Sequence, residues 1–374
     1  MKIGIDARMY GKAQSGIGNY IKQLTSTIFE IDKDNDYYLF LLEPAFLAYQ
    51  RPHPNIHKVK VTSRWYSLAE QTKFLLAINK YKLDLMHFPH FNAPILYQRP
   101  QVVTIHDIIP KFFPGHKQKN WFRKKAYELV IKSNLQKSAA IITDSNYTKN
   151  DIIRYFQTNP DKIRVVYLGI ESHFQRPENY DKIKELKDKY RITKPYIFFI
   201  SVWRNHKNFE GLIKAFEIIK KQGNLDCQLV LGGQEDPHYP NIRQAIELSP
   251  VKQDIIIPGF ISDLDLPLFY QAANLVAIPS FYEGFGLIGL EAMACGTPVV
   301  SSNAASLPEI NGNAALYFDP KNPAEMAAKI SAVLTDSNLK EQLIAKGLEH
   351  IKKYSWPDCA RQTLQIYNEI LKSI

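Results

Sequence analysis

Residues 275–301, LVAIPSFYEGFGLIGLEAMACGTPVVS, contain a complete strand–turn–helix–strand pattern. The apolar run Leu275–Ile278 predicts a strand, and the glycines at 284 and 286 predict a turn that leads into a short helix. Gly296 ends that helix, and a proline lies two residues beyond it, as is typical after a helix C-terminus. Pro298–Ser301 predicts the next strand. A buried strand that returns through a helix to a second buried strand is the repeating unit of a parallel α/β sheet.

The same alternation of strand and helix occurs in both halves of the chain. Runs rich in β-branched and aromatic residues recur at strand length, and amphipathic stretches such as Gly18–Phe29 and Phe209–Lys221 separate several of them. The runs show little polar alternation, which is typical of parallel strands buried on both faces. The predicted strands are Ile3–Asp6, Tyr37–Leu42, Val59–Val61, Leu85–Phe88, Val102–Ile105, Ala140–Thr143, Ile163–Tyr167, Tyr196–Val202, Gln228–Leu231, Ile255–Ile257, Leu275–Ile278, Pro298–Ser301 and Ala315–Phe318.

Two successive series of strands and helices predict two doubly wound, Rossmann-like α/β domains that face each other across a cleft. We place the first domain at residues 1–175 and the second at residues 190–356. Residues 176–194 are polar and dense in charge, with Pro177 and Pro195 near their ends, which indicates a linker and a surface helix. Because such sheets bind ligands at the carboxyl ends of their strands, the residues that directly follow the strands are the candidates for a site.

The composition excludes several classes of protein. The 374 residues are 45% hydrophobic and 22% charged, which is too apolar for a disordered chain. No apolar run reaches the roughly 18 residues of a transmembrane helix, and the N-terminus lacks the apolar core of a secretory signal. The three isolated cysteines argue against a disulfide framework and a zinc cluster, and they fit a reducing compartment. We therefore expect a cytoplasmic protein.

Two strand ends in the first half carry candidate binding residues. Gly16 and Gly18 precede the first predicted helix, where glycine lets the backbone approach a ligand and helix N–H groups attract anions. A flexible loop that needs a positive φ explains the same glycines. His106 follows the strand Val102–Ile105, from which a histidine can donate to a substrate hydroxyl or carry a proton. A lone histidine is more often structural, so both interpretations stay open.

In the second half, Arg204 and Lys207 directly follow the predicted strand Tyr196–Val202. The planar guanidinium fork of arginine and the point charge of lysine together suit a diphosphate. The alternative is a solvated pair of cations that flanks the next helix.

The stretch at 275–301 offers the densest set of candidates. Its glycines expose the N–H groups of Phe285, Gly286 and Leu287 at a helix N-terminus, which is suited to a phosphate. Glu291 lies about 7 Å further along the helix, at 1.5 Å rise per residue, where a carboxylate can bind ribose hydroxyls. Glu283 precedes the helix, where its carboxylate can contact the group that is attached beyond the phosphates. Structurally, Glu283 could instead stabilise the helix dipole, with Glu291 on a wet face.

Two motifs in the second half suggest other chemistry. Gly284-Phe-Gly286-Leu-Ile-Gly289 matches the G-x-G-x-x-G pattern of an NAD-type dinucleotide enzyme, but the next strand does not end in the acidic residue that such a site uses. Asp263 and Asp265 form a D-x-D pair of the kind that binds divalent metal in many sugar-nucleotide enzymes. The pair directly precedes a predicted helix at Leu266, where it is expected to act as a cap. We therefore expect no essential metal.

These residues resemble the signature of glycosyltransferase family 4, which comprises retaining nucleotide-sugar transferases of the GT-B fold. The resemblance is carried mainly by Glu283 and Glu291 within PSFYEGFGLIGLEAMACGTPVV, residues 279–300. It extends over nearly the whole chain. Its other parts are the loop at Gly16 and Gly18, His106-Asp107, Arg204 to Asn208, Leu231-Gly-Gly233, Gly259-Phe260 with Asp263, Pro308-Glu309 and Tyr354-Ser-Trp356.

The resemblance implies a role for each matched residue. Arg204 and Lys207 would hold the donor diphosphate, Glu291 the ribose, and Glu283 the sugar near its reacting face. His106 would contact the sugar or the acceptor. Together these implied roles give a catalytic set of Glu283, His106, Arg204 and Lys207 and a donor-binding set of Gly16, Gly18, Gly233, Phe260, Gly284, Phe285, Gly286, Leu287 and Glu291. Many relatives carry Pro-Arg-Lys-Asn where this chain has Arg204-Asn-His-Lys, which moves the arginine.

The resemblance also implies a reaction. A hexose would pass with retention from a nucleotide sugar to a saccharide or lipid-linked saccharide in surface polysaccharide synthesis, and no further cofactor would be required. For the donor we favour GDP-mannose over a UDP-sugar, because the N-terminal pattern Asp-Ala-Arg…Gly-Ile-Gly-Asn-Tyr resembles that of family members many of which are mannosyltransferases. The first domain would bind the acceptor and the second the nucleotide-sugar donor, and the last helix, residues 357–374, would cross back to the first domain.

Most of the formal net charge of +10 lies in residues 111–137, which carry eight Lys or Arg and one acid. Aromatic residues interleave with these cations, as in a helix that lies on anionic lipid at the inner face of the cell membrane. A solvated helix whose aromatic residues face the core is an equal alternative. A nucleic-acid-binding protein is a third class, but the sequence contains no motif of that kind, so we expect no nucleic-acid partner.

Overall fold

The computed structural model describes residues 1–11, 15–115, 121–176, 180–223 and 225–373. The chain divides into two compact units. The first comprises Met1–Gly169 and the C-terminal segment that begins at Tyr354, and the second comprises Ile170–Lys353. Each unit contains one parallel β-sheet with helices packed around it.

The first unit is built on a seven-stranded sheet in the order β3-β2-β1-β4-β5-β6-β7, with every neighbouring pair parallel. Its strands are β1 Lys2–Asp6, β2 Asp36–Leu41, β3 Ile56–Lys60, β4 Leu85–Phe88, β5 Gln101–Ile105, β6 Ala140–Thr143 and β7 Ile163–Val165. Its helices are α1 Ser15–Ile31, α2 Ala45–Ala48, α3 Leu75–Asn79 after a π-helical turn at Glu70–Phe74, α4 Ile109–Phe112, α5 Trp121–Lys137 and α6 Asn146–Phe156.

The second unit repeats this plan with six parallel strands in the order β10-β9-β8-β11-β12-β13. Its strands are β8 Tyr196–Ile200, β9 Gln228–Gly232, β10 Ile255–Gly259, β11 Leu275–Ile278, β12 Val299–Ser302 and β13 Ala315–Phe318. Its helices are α7 Tyr180–Tyr190, α8 Phe209–Gln222, α9 Pro240–Leu248, α10 Leu266–Ala272, α11 Leu287–Ala294, α12 Leu307–Asn311, α13 Pro323–Thr335 and α14 Ser337–His350. The two doubly wound parallel sheets confirm the predicted fold class.

Strand positions follow the sequence closely because the apolar runs are the strands themselves. Each predicted strand overlaps an observed one, and β4, β6, β11 and β13 have the predicted bounds. The first helix differs: α1 begins at Ser15, so Gly16 and Gly18 lie within its first turn rather than before it. The sequence placed the start of this helix too late. Its first turn lacks the apolar residues whose helical spacing marks an amphipathic helix.

The boundary between the units lies at Gly169–Ile170, ahead of the charged stretch 176–194. That stretch contains α7, whose Ile183 and Leu186 are buried and whose last residue, Tyr190, packs on Phe269 of α10 at 5.1 Å between ring centroids. Pro177 lies outside the described residues. Because α7 buries apolar side chains within the second unit, the contacts place it there although its composition resembles that of a linker.

The C-terminal helix α15, Trp356–Lys372, is part of the first unit and packs along α1. The hydroxyl of Tyr367 lies 2.6 Å from Nδ1 of the buried His87 in β4, and Nε2 of that ring lies 2.8 Å from the hydroxyl of Thr104 in β5. Burial lowers the pKa of His87 to about 3, so its ring is neutral. Within the part of the chain that the structure describes, no helix is both long enough and apolar enough to cross a bilayer.

Each sheet reverses its strand order once, and the reversal defines where a ligand can enter. In the first sheet, the chain continues from β1 toward one edge of the sheet and from the neighbouring β4 toward the other edge. In the second sheet, β8 and β11 are related in the same way. A crevice opens beyond the carboxyl ends of the strands at such a point. Arg8 and His90 follow the strands at the first reversal, and Lys207 and Glu283 follow those at the second.

Candidate functional site

Lys207 and Glu283 form the centre of the candidate site in the second unit. Nζ of Lys207 lies 2.8 Å from each carboxylate oxygen of Glu283, and both side chains are largely buried. The hydroxyl of Ser280 donates to Oε1 of Glu283 at 2.7 Å. The alternative in which Lys207 is a solvated cation is therefore wrong. The sheet reversal brings together two oppositely charged groups 76 residues apart in sequence.

The backbone around this pair is held by side chains from several loops. Asn208, at φ +55°, accepts from the N–H of Gly211 and donates its amide to the carbonyls of Pro279 and Pro320. The Ser306 hydroxyl contacts the carbonyl oxygens of Glu283 and Phe285, at 2.9 and 3.1 Å. These bonds hold the ends of both central strands before any ligand arrives, as a preorganised site requires.

Arg204 occupies a more open position beside this pair. It caps the 3₁₀ turn Asn205–Lys207, and its side chain is about half exposed. Its Nε lies 3.8 Å from a carboxylate oxygen of Asp236, a loose contact. The guanidinium is thus not committed to a tight partner in this unit, which suits a group that binds an anionic ligand.

The predicted phosphate cradle lies at the start of α11. Gly286 is the N-cap at φ +95°, a conformation that favours glycine, and a Cβ there would approach Leu307 to 2.8 Å. Gly284 and Phe285 are buried, whereas Gly286 and Leu287 are partly exposed. The turn is thus more open at its helix-proximal residues, Gly286 and Leu287, while the Ser306 hydroxyl donates to the carbonyl oxygen of Phe285.

Glu291 lies on α11 with its carboxylate against Tyr270 of α10. The hydroxyl of Tyr270 donates to Oε2 of Glu291 at 2.8 Å. Burial raises the pKa of Glu291 to about 7 and outweighs the opposing effect of the hydrogen bond, while the carboxylates of Glu171 and Asp263 add to the rise. Glu291 is partly buried, so it does not lie on a fully solvated face of α11. With a pKa of about 7, its carboxyl group changes charge near neutral pH.

The remaining candidates of the second unit have different surroundings. Gly233 has φ +107°, and a Cβ there would lie 1.9 Å from the carbonyl oxygen of Ser201, so the fold itself demands glycine. Its N–H donates to the carbonyl of Gly259 at 2.9 Å. Phe260, directly after β10, is 76% exposed. Gly289, the last glycine of the G-x-G-x-x-G match, is a packing residue, since a Cβ would meet Oδ1 of Asn311 at 2.1 Å.

In the first unit, Gly16 and Gly18 both have negative φ, so the alternative of a loop that needs a positive φ is wrong. Gly18 is buried, and its carbonyl accepts from the N–H of Gly11 at 3.2 Å. Gly16 is exposed, and a Cβ there would meet no atom of the described residues within 4 Å. Packing against the described part of the chain therefore does not explain why residue 16 is glycine, whereas the close approach of a ligand would.

His106 is held by partners on both ring nitrogens. Nδ1 lies 2.6 Å from Oδ2 of Asp144, and Nε2 lies 3.0 Å from the carbonyl oxygen of Pro89. Burial lowers the pKa of this imidazole, but the Asp144 carboxylate and the two hydrogen bonds outweigh it, so the net pKa is raised. Because both partners are acceptors, the ring donates from both nitrogens and carries a positive charge.

Several side chains that shape the site were absent from the sequence-based set. Asp144 directly follows β6, so the rule that selected His106 at the end of β5 could have found it. Ser280 lies inside the quoted motif and was read as part of the turn. Tyr270 and Ser306 carry no local signal, since their roles depend on contacts with Glu291 and with the Glu283 loop.

The Asp263 and Asp265 pair differs from the cap that was expected. Asp265 does occupy the N-cap position of α10, but its side chain makes no capping hydrogen bond. It lies instead 3.8 Å from Nζ of Lys189. Among the described residues, no group of three or more His, Cys, Asp or Glu side chains is arranged to hold a metal ion.

Comparison with known proteins extends these observations to both units. Residues 182–350 match the family model described as glycosyl transferases group 1, and residues 16–174 match the model of Glycosyltransferase Family 4. The chain is 33% identical to the O-antigen chain mannosyltransferase B of Escherichia coli, over 81% of this chain and 78% of that one. It is 29% identical to an uncharacterized glycosyltransferase of Methanocaldococcus jannaschii, over 85% and 83% of the two chains.

Solved structures share the architecture over the whole chain. A sucrose-phosphate synthase from Thermosynechococcus elongatus superposes with a TM-score of 0.82 at 20% identity, covering 100% of both chains. HepE of Anabaena, solved with UDP and glucose, superposes with a TM-score of 0.77 at 17% identity, covering 98% of this chain and 99% of that one. The fold is thus GT-B. The family matches and the 33% identical relative place the chain in the class of sugar-transferring enzymes. The chain belongs to glycosyltransferase family 4, so the dinucleotide alternative is wrong.

Replacement of Lys207 by Met is expected to destabilise the second unit. Removing one partner of a buried ion pair leaves the Glu283 carboxylate uncompensated, which costs about 3–5 kcal/mol in the free energy of unfolding. The double variant Lys207→Met/Glu283→Met should regain much of that loss. Chemical denaturation measures both effects.

The exposed pair Lys189–Asp265 serves as the control, since its lysine side chain is 61% exposed. Lys189→Met should leave the free energy of unfolding nearly unchanged, because an exposed ion pair contributes little. Equal losses for Lys207→Met and Lys189→Met would contradict the buried character of the central pair.

Proposed function

We propose that this chain transfers mannose from GDP-mannose, with retention at the anomeric carbon, to a saccharide or lipid-linked saccharide acceptor in surface polysaccharide synthesis. The observation that carries the proposal is the set formed at the second sheet reversal by Lys207, Arg204, Glu283, Glu291 and the N-terminus of α11. The choice of mannose is supported by the similarity to the O-antigen chain mannosyltransferase. A further relative, the serotype-specific mannosyltransferase WbdA of Escherichia coli, is 26% identical over 73% of this chain and 34% of that one.

The diphosphate of the donor would bind the cations and the helix N-terminus. Departure of GDP builds negative charge on the β-phosphate, and groups already aimed at that charge stabilise the transition state. Arg204 is the more available cation, because its contact with Asp236 is loose. Lys207 would turn partly from Glu283 toward the phosphate. The donor phosphate therefore competes for the Lys207 ammonium with the Glu283 carboxylate as well as with water.

Glu283 acts in this proposal by charge and position. Its two oxygens accept from Lys207, and one also accepts from Ser280, which leaves the carboxylate poorly suited to attack the sugar as a nucleophile. Its negative charge near the sugar would stabilise the positive character that grows at the anomeric carbon, as carboxylates do in glycosidases. Retention without such a nucleophile is consistent with a front-face route in which the leaving phosphate takes the acceptor proton.

Glu291 would accept hydrogen bonds from the ribose hydroxyls. Tyr270 occupies one of its oxygens, and the remaining acceptor sites can serve a diol. On the acceptor side, His106 would supply positive charge and a fixed ring edge, since both its nitrogens already donate to Asp144 and Pro89. With both nitrogens engaged, the His106 ring is not free to act as a general acid or base.

The donor assignment is tested by assaying transfer with GDP-mannose and with UDP-glucose, both with and without EDTA. We expect GDP-mannose to be used, EDTA to leave the rate unchanged, and NMR of the product to show an α-linked mannose. Lys207→Ala should lower kcat about 10²-fold or more, because a donor to the developing charge is lost. A preference for UDP-glucose or a β-linked product would overturn the donor or the stereochemical assignment, and activity lost with EDTA would overturn the expectation of no essential metal.

Donor binding should depend on pH through Glu291. Its pKa is raised to about 7, so the carboxylate that accepts from the ribose forms above that pH and is lost below it. The dissociation constant of GDP-mannose should therefore rise as the pH falls from about 8 to about 6, since its diphosphate does not titrate in that range. Glu291→Gln should flatten this profile, measured by calorimetry, whereas Glu341→Gln on the exposed face of α14 should not. A profile unchanged in Glu291→Gln would argue against the ribose contact.

We also propose that α5 brings the enzyme to an anionic membrane where a lipid-linked acceptor resides. Trp121 and Phe122 are 61% and 73% exposed, so the alternative in which the aromatic residues of this helix face the core does not hold for these two. Leu129 is 61% exposed as well. Lys125 and Lys132 share the exposed face with Trp121 and Leu129 at helical spacing. Lys117 and Lys119, counted in the basic segment, lie outside the described residues. Lysines interleaved with exposed apolar side chains suit a lipid interface.

Vesicle co-sedimentation tests this interface. The full chain should bind phosphatidylglycerol vesicles at low salt and dissociate as salt rises. The variant Trp121→Ala/Phe122→Ala/Lys125→Glu should lose most of the binding, and the matched surface variant Leu248→Ala/Lys252→Glu of the second unit should retain it. Equal binding of the two variants would remove α5 as the contact.

A further inference from the structure

Ser306 lies beside the turn that leads into α11. It is the N-cap residue of α12 and is fully buried. Its hydroxyl shares one proton between the carbonyl oxygens of Glu283 and Phe285, at 2.9 and 3.1 Å. The next residue, Leu307, packs against the same turn, since a Cβ at Gly286 would lie 2.8 Å from its Cδ2. Two successive residues at the start of α12 therefore shape the backbone that precedes α11.

The two hydrogen bonds of Ser306 fix the direction of two peptide units. Because a peptide unit is planar and trans, its N–H points away from its C=O. The carbonyl groups of Glu283 and Phe285 point toward Ser306. The N–H groups of the same two peptide units belong to Gly284 and Gly286, and they therefore point away from Ser306. Gly286 is partly exposed and is the N-cap of α11, so its N–H lies at the positive end of that helix dipole.

Other contacts hold the first part of the same turn. The N–H of Phe281 donates to the carbonyl of His206 at 2.8 Å. The carboxylate of Glu283 is held by Lys207 and Ser280. These contacts act on the start of the turn and on a side chain, whereas the Ser306 hydroxyl acts on the peptide units that lead into the helix.

Ser306 is itself placed by a strained turn after β12. Ala305 has φ +52°, in the left-handed region that residues with a Cβ rarely adopt. Hydrogen bonds hold the chain on either side: the N–H of Ala304 donates to the hydroxyl of Ser302 at 3.1 Å, and the carbonyl of Ser306 accepts from the N–H of Ile310 at 2.9 Å. Strain of this kind persists only where the surroundings impose it, and it is concentrated at functional sites.

We propose that Ser306 is a positioning residue for the β-phosphate of the donor. Its hydroxyl orients the peptide units before α11 so that their N–H groups meet that phosphate, although the buried Ser306 does not contact the donor. Backbone donors that are oriented in advance stabilise the charge on a leaving phosphate without having to reorganise during the reaction. The inference rests on the proposed function in that it takes the ligand of this turn to be a nucleoside diphosphate. It does not depend on the base or on the sugar.

The test compares a nucleoside diphosphate with its monophosphate, which lacks the β-phosphate. Calorimetry first ranks GDP and UDP on the full chain, and the tighter ligand is then compared with its monophosphate in each variant. Ser306→Ala should weaken the diphosphate about tenfold or more and the monophosphate less than about threefold, because the hydrogen bonds that suffer are those to the charged β-phosphate. Ser306→Thr, which keeps the hydroxyl, should keep the ratio of the two affinities.

Ser138→Ala is the matched control. Ser138 is also fully buried, and its hydroxyl donates to a main-chain carbonyl, that of Asn134, at 2.7 Å in the first unit. This variant should keep both affinities, although it too loses a buried hydroxyl. Retained binding of the monophosphate shows in addition that Ser306→Ala is folded.

Equal weakening of the diphosphate and the monophosphate in Ser306→Ala, or no weakening of either, would overturn the role of Ser306 and leave the donor assignment standing. Tighter binding of UDP than of GDP would refute the proposed donor, and the comparison would then decide the role of Ser306 with UDP and UMP. Failure of both diphosphates to bind the parent chain would refute the donor site and the role of Ser306 together.

Discussion

In each unit, the chain leaves a strand in the middle of the sheet toward one edge of the sheet. It leaves the neighbouring strand, which comes later in the sequence, toward the opposite edge. Loops that leave neighbouring strands in opposite directions cannot cover the space between them, so a crevice remains where β1 meets β4 and where β8 meets β11. Backbone groups and side chains at those ends then converge without any loop having to fold over them. The proposed donor site depends on this constraint.

The charged side chains at the two crevices are paired differently. In the second unit, a lysine and a glutamate neutralise each other at 2.8 Å beside a half-exposed arginine, so an anionic ligand meets a partly free positive charge. In the first unit, Arg8 is shared between Asp6 and Glu70. A charged diphosphate therefore suits the second crevice.

The candidate residues that were found from sequence share one property: their signal is local. Glu283 and Glu291 lie in one strand–turn–helix segment, and Arg204 and Lys207 directly follow one apolar run. Tyr270 was missed because its role depends on a partner on another element, Glu291 at 2.8 Å. Asp144 directly follows a strand, as His106 does, but the sequence does not show that their side chains meet at 2.6 Å. His106 itself was placed correctly at a strand end, but the sequence left open whether its ring was free, and the structure shows both nitrogens engaged.

The sequence by itself determined the strands, the fold class and the family, because apolar runs of strand length and a glycine turn before a short helix are properties of consecutive residues. Only the tertiary structure decided the ionic and hydrogen-bonding state of the site. The pairing of Lys207 with Glu283, the raised pKa of Glu291 and the contact of His106 with Asp144 arise from burial and from contacts over tens of residues. Periodicity along a chain carries information about which face is buried, but none about which distant group lies opposite.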